Sequence, residues 1–78
     1  MEEIADRIAK DIIKFNENVK VLDEHELGPK EIEIVRLAKN YCDDAGAWLK
    51  KKDFYTAFAS ISYAHGLLDT LLRLNSKE

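Results

Sequence analysis

Ser62, His65 and Asp69 stand three and four residues apart, a spacing that places all three on neighbouring turns of one helix. A hydroxyl, an imidazole and a carboxylate in that order are the ingredients of nucleophilic catalysis. The surrounding residues supply no Gly-rich strained elbow and no loop of backbone donors for an oxyanion, so hydrolysis lacks its other half. The simpler reading is a partly buried His65 whose ring nitrogens are satisfied by Asp69, or by Tyr41 across a helical hairpin. His25 sits among Asp23, Glu24 and Glu26, but consecutive residues diverge in direction. One Cys and two His are too few for a structural zinc site. Neither His follows a Glu by three residues, as a di-iron bundle would require. No cofactor or metal is expected. Cys42 has only Lys39 as a nearby base, which favours an inert buried thiol. Lys50, Lys51 and Lys52 form the single basic run, and with Arg36 and Lys39 they could make a weak anion patch. Asp43 and Asp44 interrupt it and no aromatics are interleaved, so nucleic-acid binding is not favoured.

These side chains must be positioned by helices. Ile4, Ile8, Ile12, Phe15, Val19 and Leu22 recur at intervals of three and four, one face of a helix over residues 2–23. Gly28 and Pro29 mark the next boundary: Pro suits a first helical turn and not an interior. A second helix is predicted over 29–51, with the stripe Ile34, Ala38, Tyr41, Ala45 and Trp48, widened by Val35, Cys42 and Leu49. Asp53 is a candidate N-cap for a third helix over 54–75. Its main stripe is Phe54, Phe58, Ile61, His65, Leu68 and Leu72, flanked by Ala57, Ala64 and Leu71. Only Asp69 is formally charged between Phe54 and Leu72.

Tyr63, Leu67 and Leu74 fall on nearly the opposite side of that third helix. A helix apolar on two sides is ordinarily covered on two sides. Ala59, Ser62 and Gly66 line a further row of small residues that lets another helix approach the backbone closely. Gly inside a helix costs about 0.5–1 kcal/mol relative to Ala, which suggests a packing reason for Gly66. Six residues are therefore expected to form an interaction surface: Tyr63, Leu67, Leu74, Ala59, Ser62 and Gly66. The partner would be a second copy of the chain or another helical protein.

With 78 residues, 46% hydrophobic and 35% charged, the chain has room for one domain, is too apolar for disorder and is too charged for a membrane span. No run reaches about eighteen uninterrupted apolar residues. The start, MEEIADRIAKDIIKF, has no basic segment leading into an apolar one, so no secretory leader is expected. The single Cys fits a reducing compartment, and a cytoplasmic home follows. The expectation is an all-α protein, an antiparallel up-down-up three-helix bundle spanning residues 1–78. Its expected role is a non-enzymatic, self-associating interaction module. The alternative is a small-ligand or nucleic-acid-binding domain using His65, Asp69 and Lys50–Lys52.

The string DFYTAFASISYAHGLLD (53–69), following NYCDDAGAWL (40–49), resembles the archaeal domain-of-unknown-function 357 family. The resemblance is specific over about half the chain, Ala38 to Leu74, and the first helix matches in pattern only. It implies a small three-helix bundle with no assigned activity, and an archaeal source. The chain departs from the pattern at two positions. Lys52 stands where Gly precedes the Asp, implying a strained or differently shaped turn, and Cys42 stands where an aromatic residue is usual.

Overall fold

The computed structural model describes residues 2–22 and 24–75. Three helices carry the chain: α1 (Glu2–Val19), α2 (Pro29–Lys50) and α3 (Phe54–Leu74), with a short 3-10 turn at Glu24–Glu26. No strand occurs among the described residues, and the fold is all-α. The helix bounds follow the sequence reading closely at α2 and α3, where the expected last residues, Lys51 and Asn75, are the C-caps. The departure is at α1. Val21 and Leu22 donate to Asn18 and Val19 three residues back, so the chain tightens and leaves the helix before residue 22. Leu22 still packs against the core, which is why its place in the apolar stripe reads as helix.

The three helices meet around one core. Ala38, Cys42 and Ala45 of α2 and Ala57, Ile61, Ala64 and Leu68 of α3 are buried together, with Ile8 and Phe15 of α1 closing over them. Small side chains at the α2–α3 seam let those two helices approach closely. The core line is rotated from the expected stripes. On α2 it runs through Val35, Ala38, Cys42 and Ala45, leaving Trp48 exposed and Ile34 and Tyr41 half-buried. On α3 it runs through Ala57, Ile61, Ala64, Leu68 and Leu71, so Phe58 is pushed to the surface. Phe15 is the largest fully buried side chain. Losing such a ring costs about 3–5 kcal/mol, comparable with the whole stability of a small domain. Cys42 is likewise buried. Burial, with Asp43 beside it, pushes the thiol above its ordinary value, so it stays protonated and unreactive at neutral pH.

The α2–α3 turn is built from backbone chemistry. Asp53 N–H donates to Trp48 O at 3.0 Å and Lys52 N–H to Leu49 O at 3.0 Å. This is a Schellman closure, which needs a left-handed residue at the position of Lys52. Lys52 adopts φ 63°, the conformation that glycine takes without steric cost. The strain implied by Lys52 in place of Gly is thus present. Asp53 then caps α3: Oδ1 accepts the Thr56 N–H at 3.1 Å and Oδ2 accepts the Thr56 hydroxyl at 2.8 Å. At the other end, Gly28 has no capping side chain, and its N–H donates to Glu31 Oε1 at 3.1 Å. Glu31 Oε2 accepts from Asn75 Nδ2 at 2.8 Å, tying the start of α2 to the end of α3.

Two predictions follow from the caps. A left-handed non-Gly residue costs about 1–2 kcal/mol, partly offset by the extra unfolded-state freedom of Gly. Lys52→Gly is therefore expected to raise stability by about 0.5–1 kcal/mol, read as a higher urea midpoint at constant slope. The Asn75 amide and then the Gly28 N–H hold the Glu31 carboxyl below its ordinary value of 4.5, against a small opposing effect of burial. With a lowered folded value, the stabilisation is complete above the ordinary carboxyl range and is lost as pH falls through the folded value. Glu31→Gln should be less stable than the parent at about pH 7, and the gap should close towards about pH 3. A gap of constant size would mean that the ionised carboxylate is not what stabilises the pair.

Candidate functional site

The fold gives the polar residues read from the sequence as one cluster different partners. His65 Nε2 lies 2.8 Å from the main-chain oxygen of Asp11 in α1. A carbonyl only accepts, so Nε2 carries the hydrogen. The ring meets Phe15 edge-on, with centroids 5.7 Å apart and planes at 87°. Asp69 instead pairs with Arg73 Nε at 3.1 Å, one turn along the exposed side of α3. Tyr41 packs its ring against Tyr63, with centroids 4.6 Å apart. The expectation that Asp69 or Tyr41 satisfies His65 is corrected: α1 does so, through a residue 54 positions away in sequence that spacing on α3 cannot reveal. Ser62 is exposed beside His65, but with Asp69 turned to Arg73 there is no carboxylate relay behind the imidazole.

The expected interaction surface divides into two rows. Tyr63 and Leu74 remain 50% and 73% exposed, whereas Leu67 is half-buried and packed against the core. Part of the cover expected from an outside partner is supplied within the chain, by Tyr41 over Tyr63. The second row, Ala59, Ser62 and Gly66, is exposed on α3. A Cβ added at Gly66 would meet no atom within 4 Å. The packing reason expected for Gly66 is therefore not found within the chain. Residues that the sequence reading left off this surface are Leu37, 43% exposed, and Trp48, whose ring lies 5.0 Å from Lys51 Nζ. Leu37, Tyr41 and Trp48 share one side of α2 by helical spacing. The signal was present in that period, but Trp48 and Tyr41 read equally well as core.

A different set of polar groups does converge. Arg7, Asp11 and Lys14 of α1 face Phe58, Ser62 and His65 of α3 across a shallow crease. Lys50–Lys52 lie at the α2–α3 turn, apart from it. Among the described residues no group of three His, Cys, Asp or Glu side chains is placed to hold a metal ion. No helix of the described residues is long and apolar enough to cross a membrane.

The open space at Gly66 gives a direct test. Gly66→Ala removes the backbone penalty of a helical glycine without a clash, so the variant is expected to gain about 0.5–1 kcal/mol in a urea melt. A loss of stability would reveal close packing at this position.

No curated protein and no solved structure shows detectable similarity to the chain. The family described as "Protein of unknown function (DUF357)" matches residues 9–76. That span takes in the His65 contact, the Lys52–Asp53 turn, all of α2 and α3 and the larger part of α1, and the chain belongs to the DUF357 family.

Proposed function

We propose that the protein is a non-enzymatic helical interaction module, acting in the cytoplasm, that self-associates through the face of the α2–α3 hairpin turned away from α1. The observation that carries this reading is the exposure of Leu37, Tyr63 and Leu74 along a single strip. The reading rests on an up-down-up bundle, supported by two sets of contacts. Glu31 with Asn75 and Tyr41 with Tyr63 pair α2 and α3 in opposite chain directions. Arg7 over Phe58 and Asp11 with His65 pair α1 and α3 in the same direction. In that register Leu37 of α2 is level with Leu67 of α3. Ile34, Leu37, Tyr41 and Trp48 then run beside Tyr63, Leu67 and Leu74.

Such a strip is costly in water and is a common mark of a protein contact. A second copy is its simplest cover, because a two-fold axis sets the same strip against itself. Ala59 and Gly66 border it and offer no bulk to hold a neighbouring helix away. The alternative ligand reading loses its composite site, since His65, Asp69 and Lys50–Lys52 occupy separate places.

Sedimentation equilibrium over a wide concentration range tests the proposal. The parent is expected to show a mass above that of one chain. Leu37→Glu with Leu74→Glu should return it to one chain while leaving helix content unchanged, since both side chains are exposed. Leu67 is unsuitable for this test because it also supports the core. A parent that remains one chain at the highest concentration overturns self-association. An unchanged mass in the double variant removes this strip from the contact.

A further inference from the structure

We propose that the crease between α1 and α3 binds a small amphipathic anion, a phosphate or carboxylate joined to an apolar or aromatic body. It lies on a different side of α3 from the self-association strip and does not depend on it.

The crease has a charged end and an apolar end. At the charged end, Arg7 and Lys14 stand two helical turns apart on α1, facing Ser62 and His65. Among the described residues neither cation is engaged in an ion pair. Asp11 contributes one negative charge, so the lining retains a positive excess. The Asp11 main-chain oxygen holds Nε2 of His65, and Phe15 fixes the ring edge-on. At the apolar end, Ile4, Phe54, Tyr55 and Phe58 line a cleft with almost no polar surface. Phe58 is a wall of both and joins them, and the Arg7 guanidinium sits 5.9 Å from its ring centroid. Tyr55 is 88% exposed, the most open of the large hydrophobic side chains among the described residues.

A ligand suited to this crease carries its charge towards Arg7 and Lys14 and lays its body over Phe58 and Tyr55. A polyanion fits poorly, because two cations flanking a carboxylate cannot neutralise a run of closely spaced phosphates. A single charged head avoids that mismatch, and the aromatic walls add affinity that inorganic phosphate cannot use.

The test is a two-dimensional amide NMR titration of the full chain with phenyl phosphate, inorganic phosphate and benzyl alcohol. Phenyl phosphate is expected to shift signals around Arg7, Lys14, Tyr55, Phe58 and His65. It should bind at least about threefold more tightly than either fragment, the gain of joining the two contacts. Arg7→Gln and Lys14→Gln should each weaken it by at least about threefold, the scale of one exposed charge contact, with an unchanged thermal melt. Shifts confined to Lys50–Lys52, no saturable shift, or unaltered binding in the Arg7→Gln, Lys14→Gln double variant would each overturn the proposal. So would inorganic phosphate binding as tightly as phenyl phosphate, which would remove the apolar end from the site.

Discussion

The seam between α2 and α3 is the constraint on which the rest of the structure depends. Ala38, Cys42 and Ala45 meet Ala57 and Ala64, all buried. Small side chains draw two helices together but bury little apolar area of their own. The bulk comes from larger side chains around the seam, Ile61, Leu68 and Leu71 of α3 together with Ile8 and Phe15 of α1. The fold is in effect a close α2–α3 pair with α1 laid along it, and α3 packs far more extensively on α2 than on α1.

That geometry explains where polar chemistry and apolar surface end up. Other large residues of both helices lie on the flanks of the seam. On the flank against α1 these are Phe54, Phe58, His65 and Leu72, which α1 covers only in part, leaving the crease at Phe58. On the other flank Tyr63 and Leu37 stay exposed, while Tyr41 packs against Tyr63 and Leu67 is half-buried. His65 is turned towards α1, and its ring is held because a helical carbonyl keeps a lone pair beyond its own helix bond. The turn pays for closeness at Lys52, where the short connection demands a left-handed residue and a β-carbon resists it.

Local chemistry was legible from residue types alone. Asp53 caps α3 and Pro29 opens α2. Each is decided within a few residues by hydrogen bonds and steric limits of the backbone. Three helices of nearly the expected length follow from period and capping in the same way. Only the end of α1 differs, because a residue can belong to the core stripe, as Leu22 does, after the helix has stopped.

What the sequence by itself determined is therefore the set of helices, their caps and the excess of apolar surface on α3. Which of the two apolar sides of α2 and α3 is buried, and which partner His65 takes, only the tertiary structure decided. Periodicity gives each helix a face to within about one residue's rotation, and a rotation of that size exchanges Ile34 and Tyr41 for Val35 and Cys42. The choice is made by how closely the two backbones can approach and by where α1 then fits. That is a property of three elements packed together and of no one segment.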